Sequence, residues 1–167
     1  MFKEIKAEEL QRNVFEAVGK DWMLVTTEAE RKANAMTASW GGMGILWNRK
    51  VVFLVVRQTR CTKALLDQSE LLSVAFSQDR DMLNYMGTAS GRDEDKLKKC
   101  GLTIAYDEGI PYINEADAVL LLKKLYCQPQ PFSPDGFVDG QDVQHFYADN
   151  DFHSLYVAEV VKVLVKE

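Results

Sequence analysis

Asn34-Ala35-Met36-Thr37-Ala38-Ser39-Trp40-Gly41-Gly42-Met43-Gly44 opens the stretch of sequence that decides the predicted fold. The stretch continues through the apolar run Val51–Val56 and closes with Arg57-Gln58-Thr59-Arg60-Cys61-Thr62. An uninterrupted apolar run of this length is typical of a β-strand covered on both faces. The stretch predicts a site for a flat ring carrying a phosphate tail. It combines small hydroxyl side chains, a tryptophan beside glycines, and two arginines between a strand and a helix.

Further strand-like segments lie on both sides of this stretch, and short helices are inserted between them. The element order lacks the regular alternation of strand and helix that a doubly wound fold requires, so a closed antiparallel barrel with helical decorations is favoured. Gly41, Gly42 and Gly44 are expected to break the strand before them. The predicted strands are 22–27, 35–40, 51–56, 71–77, 116–126 and 154–165. The predicted helices are 7–18, ended by Gly19, then 59–69, 79–85 and a short surface helix with Glu94 and Asp95 at its front and Gly101 at its end.

Composition limits the possible partners. The 167 residues suit one domain spanning 1–167, and a net charge of -5 argues against nucleic acid as a partner. Any bound phosphate must therefore be met by local arginines. The first residues interleave both charge signs without an apolar core, and no window is apolar for long enough to span a bilayer, so a cytoplasmic protein without membrane contact is expected.

Four motifs, in order along nearly the whole chain, resemble the flavin reductase-like family of FMN-binding split barrels, and its flavoredoxin-type members in particular. They are Asn34–Gly41, Arg57-x-x-Arg60-x-Thr62, Gly87-x-x-Ser90-Gly91-Arg92-Asp93-x-Asp95-Lys96 and the closing Asp151–Val160. The resemblance implies a mainly β fold with short helices (α+β), an antiparallel, Greek-key-like split β-barrel.

The resemblance also implies an FMN site made of two groups of residues. Ring contacts are expected from the first motif, and phosphate contacts from arginine forks, hydroxyls and loop amides of the second and third motifs. A plainer interpretation stays open, in which the arginines are solvated, Ser90 caps a helix and Trp40 packs in the core. The cofactor-binding candidates are Asn34, Met36, Thr37, Ala38, Ser39, Trp40, Gly41, Arg57, Arg60, Thr62, Ser90, Gly91, Arg92 and Lys96.

His153 is one of only two histidines and begins a long apolar strand. In the family a histidine at this place lies close to the flavin or the nicotinamide, so His153 is the catalytic candidate, with a role in placing the nucleotide or protonating the flavin. A hydrogen-bonded structural histidine is the open alternative.

These observations lead to three functional hypotheses. The first is an FMN-binding, NAD(P)H-dependent flavin reductase, a homodimer that takes hydride from NADH or NADPH and passes electrons to free flavin, oxygen or a protein acceptor. No dinucleotide-binding fingerprint is present, so the nicotinamide would bind transiently over the flavin. The second is a flavoredoxin-like electron carrier with tightly bound FMN and no direct NAD(P)H activity. The third is a non-catalytic split barrel that binds another ligand, such as haem, or none.

Overall fold

Ten strands and five short helices make up the computed structural model, which describes residues 1–167. The strands are β1 Phe2–Ile5, β2 Met23–Ala29, β3 Lys32–Ala38, β4 Gly41–Leu46, β5 Arg49–Arg57, β6 Leu71–Phe76, β7 Ile104–Asp107, β8 Ile110–Ile113, β9 Ala118–Gln128 and β10 His153–Lys166. The helices are α1 Val14–Glu16, continued by a π-helical turn Ala17–Asp21, then α2 Cys61–Gln68, α3 Arg80–Thr88, α4 Lys96–Lys99 and α5 Gly140–Tyr147. None of these helices has the length and apolar character needed to cross a bilayer.

Eight strands form one antiparallel sheet around β10. Along one edge β10 pairs with β9, and along the other it pairs first with β5 and then with β1. The strand order is β3-β2-β6-β9-β10-β5-β4, with β1 beside the end of β10. Because only Ser39 and Trp40 join the two end strands β3 and β4, the sheet must curl until its ends meet. β3 lies against β5 without a hydrogen-bonded ladder, so a seam stays open there.

The core has two compartments because side chains alternate across the sheet. Along β2, Met23 and Val25 point into the barrel, while Leu24 points to the outer face. That outer face is covered by Leu83 and Met86 of α3 and by the β7–β8 hairpin. The mainly β, split-barrel α+β fold is thus confirmed.

Several predicted elements are confirmed with shifted ends. The apolar run 51–56 lies within β5, and the segment 154–165 lies within β10. The helix predicted at 59–69 is α2, where Lys63 and Asp67 form the expected ion pair at 2.6 Å.

Two local predictions are wrong for identifiable reasons. Gly41, Gly42 and Gly44 do not break the sheet but lie in β4, where the backbone passes close to β5. The helix predicted at 7–18 is interrupted, because the backbone is extended at Leu10 and the helix begins only after Asn13, whose side chain accepts hydrogen bonds from the Phe15 and Glu16 amides. Gly19 lies within the π-helical turn that follows.

Candidate functional site

A cavity of about 220 Å³ lies at the open seam between β3 and β5. The end of β3, the β3–β4 connection, the end of β5 and the start of β10 provide its walls. Eight of the sequence-predicted residues, including the catalytic candidate, therefore meet at one place. The lining residues are Met36, Thr37, Ala38, Ser39, Trp40, Val55, Val56, Arg57, Arg60 and His153.

A larger hollow of about 780 Å³ lies beside β1 and the second half of β10. None of the sequence-predicted residues lines it. Two of its lysines pair within the protein, Lys50 with Glu8 at 2.6 Å and Lys162 with Asp107 at 2.8 Å. We therefore place the candidate site at the seam and not in the largest hollow.

The seam cavity has an aromatic side and an aliphatic side. Trp40 is 40% exposed, and its ring centroid lies 4.9 Å from that of His153 and 5.3 Å from that of Phe146. The hydroxyl of Thr37 donates to the Leu83 carbonyl oxygen at 2.6 Å, so this side chain also ties β3 to α3. A flat ring could lie between these walls and meet main-chain groups of 36–39.

Three cations gather where α2 begins and α3 ends, and none of them pairs with a carboxylate. Arg60 donates to the carbonyl oxygens of Gly87 and Met86, and Arg92 donates to that of Thr59 at 2.9 Å. Lys96 is 2% exposed and donates to the carbonyls of Met86 and Ala89. Burial, followed by the charge of Arg60, lowers the pKa of Lys96 to about 8. These three cations therefore have no ion-pair partner in the protein, although its net charge is negative.

Asn34, Thr62 and Gly91 lie beneath this group of cations. The amide of Asn34 donates to the hydroxyl of buried Thr62 at 3.1 Å and so connects β3 with α2. A Cβ at Gly91 would lie 2.9 Å from the same Asn34 amide nitrogen, which explains the absence of a side chain there. Asn34, Gly91, Arg92 and Lys96 line a second cavity of about 710 Å³, and the Ser90 hydroxyl accepts from the Arg92 amide.

Arg57 and Gly41 take places that the sequence did not suggest. Arg57 lines the seam cavity, but its guanidinium donates to the carbonyl oxygens of Phe146 and Asp151 and pairs with Asp149 at 3.4 Å. Gly41 lies outside both cavities, and its close neighbour is the Phe53 carbonyl of β5. Most of the predicted candidates therefore either line the seam cavity, belong to the group of three cations, or connect the elements that carry these two sets.

His153 is buried, with 6% of its surface exposed, and its Nδ1 lies 2.9 Å from the Tyr147 hydroxyl. Burial, followed by the charge of Arg57, lowers the pKa of His153 to about 4, against the weaker opposing effect of Asp151 and Asp149. The ring is therefore neutral near pH 7. A hydrogen-bonded, neutral histidine suits a positioning or donor role better than a standing positive charge.

This low pKa predicts a pH-dependent stability. In the unfolded chain the His153 imidazole takes up a proton near pH 6.5, but in the folded chain it does so only near pH 4. The free energy of unfolding therefore decreases as the pH falls from 6.5 to 4. Between pH 7 and pH 5 we expect a loss of about 1–2 kcal/mol from this residue. Urea denaturation at both pH values measures it, and His153→Gln should remove that part of the loss. An equal loss in both proteins would contradict the assignment.

The sequence did not indicate that α5 contributes to the site. Its last residues, Phe146 and Tyr147, contact Trp40 and His153. A signal was available, since Asp139 accepts a hydrogen bond from the Gln141 amide as a helix N-cap, and Val143 and Tyr147 follow at helical spacing.

Comparisons with known proteins support the architecture. Among solved structures, an FMN-binding domain of a flavin reductase-like enzyme from Shewanella baltica is 18% identical, with a TM-score of 0.70 over 99% of this chain and 77% of that one. Flavoredoxin of Desulfovibrio vulgaris is 20% identical, with a TM-score of 0.68 over 98% and 78%. The flavin reductase of a styrene monooxygenase from Pseudomonas putida is 15% identical, with a TM-score of 0.62 over 88% and 79%. At such identities these similarities describe the fold.

None of the curated proteins compared with the chain matches it. The family model described as the flavin reductase like domain matches residues 15–167, which include every element from β2 to β10 and every candidate residue of the site. The chain belongs to the flavin reductase like domain family.

Proposed function

We propose that this protein is an FMN-dependent oxidoreductase that accepts hydride from NADH or NADPH. One observation carries the proposal: a ring-sized cavity lies next to three cations that form no ion pair with a carboxylate. Arg60 belongs to both, since it lines the cavity and shares the Met86 carbonyl with Lys96. A flat ring joined to a phosphate matches that arrangement.

The ring side fits an isoalloxazine. Pockets that enclose whole drug-sized ligands measure roughly 300–1,000 Å³, so a cavity of about 220 Å³ suits one ring system and not the entire nucleotide. Met36, Ala38 and Val56 supply apolar wall, and Trp40 supplies an aromatic face. Haem is larger and fits this cavity less well, which weighs against the third hypothesis.

The phosphate side fits an anion. Arginine offers a planar fork of donors to phosphate. The first amides of α2 add further donors at the positive end of the helix dipole. In this proposal Arg60, Arg92 and Lys96 supply charge, and the amides of Ser90–Arg92 and α2 supply further donors. Thr62, Asn34 and Gly91 hold these parts in place. Arg57 remains a candidate contact from the cavity wall.

Bound FMN would supply the capacity to take up a hydride and to release electrons in one-electron or two-electron steps. The chain's own residues bind and orient the cofactor and limit the access of water. Trp40 lines the cavity and is packed edge to face against Phe146, and His153 offers a neutral polar group at the aromatic wall. The electron acceptor is proposed as free flavin, oxygen or another protein.

Stopped-flow mixing separates the reductase from the flavoredoxin-like carrier. The FMN-loaded protein is mixed with NADH and, separately, with NADPH under anaerobic conditions. If the protein is a reductase, the absorbance of its bound flavin should decrease rapidly after mixing with NADH, with NADPH or with both. A carrier keeps its absorbance with both nucleotides but loses it with dithionite.

Lys96 should make FMN binding depend on pH. Its pKa of about 8 means that it loses its charge in mildly alkaline solution, and a bound phosphate favours the charged form. We expect FMN affinity to fall about tenfold from pH 7 to pH 9.5, with little change for riboflavin, which lacks the phosphate. Fluorescence titrations at both pH values measure this. A Lys96→Met variant with the same pH dependence as wild type would assign the effect to another group.

The homodimer remains a proposal, supported by an exposed apolar surface beside the unpaired edge of β4. Ile45 is 70% exposed and Trp47 is 58% exposed, and Trp47 contacts Tyr126 edge to face. Such a patch on an open strand edge is typical of an association surface. Light scattering after size exclusion should give twice the chain mass of 19.0 kDa for wild type and a monomer for Ile45→Glu. A monomeric wild-type protein would end this proposal.

A further inference from the structure

His153 presents one ring nitrogen to the protein and the other to the cavity. Its Nδ1 faces the Tyr147 hydroxyl, and its Nε2 has no hydrogen-bond partner. The hydroxyl of Thr26 is the only fully buried side-chain polar atom without a partner. Nε2 is therefore not sealed in the core, and it opens on the cavity that His153 lines.

Tyr147 is held firmly in this position. Its side chain is buried, its ring stacks on Phe152 at 4.5 Å and 16°, and the Arg57 guanidinium lies 5.5 Å from its centroid. Arg57 also holds the end of α5 by donating to the Phe146 carbonyl at 2.8 Å. The hydroxyl of Tyr147 has His153 as its single partner.

The direction of this hydrogen bond follows from counting donors and acceptors. If Nδ1 carried the proton and Tyr147 accepted it, the phenolic hydrogen would have no acceptor in a buried place, which is costly. If Tyr147 donates to Nδ1, both groups are satisfied. Because burial lowers the pKa of His153, the ring is neutral and carries one proton, which must then be on Nε2.

We infer that Tyr147 is a positioning residue whose hydroxyl donates to Nδ1 of His153 and thereby fixes Nε2–H as a hydrogen-bond donor pointing into the seam cavity. The inference rests on the proposed function only for what Nε2–H meets there, an acceptor atom of the flavin ring. A donor at that place favours a ring that has gained negative charge, so it should raise the reduction potential of bound FMN.

The tautomer can be measured without any flavin. In a long-range ¹H–¹⁵N correlation spectrum of the ¹⁵N-labelled protein at pH 7, only His145 and His153 contribute imidazole signals, and His145→Gln assigns them. We expect His153 as the single Nε2–H tautomer in wild type. Tyr147→Phe should give a mixture or the Nδ1–H form. The matched control Tyr106→Phe, which removes a remote hydroxyl bound to Glu28, should leave His153 unchanged.

Two results would overturn the inference: an Nδ1–H tautomer in wild type, or an unchanged His153 pattern in Tyr147→Phe. The wild-type spectrum alone decides the direction of the bond, so the test does not depend on whether the variant folds. A protein that fails to bind FMN would end the proposed function and leave this result standing.

A second readout uses the FMN-loaded protein. Tyr147→Phe should lower the reduction potential of bound FMN and slow its bleaching by NADH about tenfold, with an unchanged KM for NADH. Because Tyr147 acts through His153, adding Tyr147→Phe to His153→Gln should change nothing further. Equal potentials in wild type and Tyr147→Phe, or additive losses in the double variant, would contradict the positioning role.

Discussion

Gly41→Ala should destabilise the protein by at least about 3 kcal/mol, the largest effect expected of any single methyl group in the chain. The φ angle of Gly41 is 141°, a conformation that side chains rarely adopt, and a Cβ there would lie 2.1 Å from the Phe53 carbonyl oxygen. The Phe53 carbonyl belongs to the backbone, so no flexible side chain can move away from the added Cβ. β4 would have to separate from β5, and the Ser39-Trp40 connection that forms the cavity wall would move with it.

Gly42→Ala is the matched control one residue along the same strand. A Cβ at Gly42 meets nothing within 4 Å. It should change stability by less than about 1 kcal/mol and could be stabilising, because alanine reduces the freedom of the unfolded chain. Thermal unfolding should separate the two variants by roughly 10 °C. Equal melting temperatures would contradict the close approach of β4 to β5.

Arg60→Ala should weaken FMN binding about 30-fold to 100-fold, which corresponds to the roughly 2–3 kcal/mol of a charge-assisted hydrogen bond. Arg60 is the one cation that lines the ring cavity and also belongs to the group of unpaired charges. Riboflavin, which has the ring without the phosphate, should lose less than about threefold. The difference between the two ligands therefore isolates the phosphate contact.

Two controls accompany this variant. Arg49→Ala removes an arginine paired with Glu159 at 2.7 Å, away from both cavities, and should bind FMN as wild type does. Since Arg60 also donates to the Gly87 and Met86 carbonyls, thermal unfolding should check that Arg60→Ala is folded at the titration temperature. If Arg60→Ala weakened the binding of FMN and of riboflavin equally, Arg60 would not be a phosphate contact.

The sequence predicted those parts of the fold whose signal is local. The apolar run 51–56 and the segment 154–165 identified β5 and β10, because long runs of β-branched and aliphatic residues suit buried strands. The family resemblance of the first motif predicted ring contacts from Met36 to Gly41, and Met36 to Trp40 of this stretch line the cavity. These residues lie next to one another on one short segment of chain, so their grouping requires no knowledge of the tertiary structure.

What the sequence could not predict depends on contacts between distant segments. Arg57 looked like a free phosphate ligand, but its partners lie on the last turn of α5 and the loop after it, about ninety residues further along. The glycines of β4 were predicted to break the strand, because the close approach of Gly41 to the Phe53 carbonyl of β5 is not visible in the local sequence. Likewise, nothing in the local sequence shows that Lys96 is buried or that Tyr147 reaches His153.

The most direct test of the central claim is a titration of the purified wild-type protein with FMN and with riboflavin, followed by flavin fluorescence and visible absorbance. The account predicts saturable binding of FMN, a changed visible band and an affinity clearly above that for riboflavin, because the three unpaired cations meet the phosphate. Absence of FMN binding, or equal affinity for the two flavins, would contradict it.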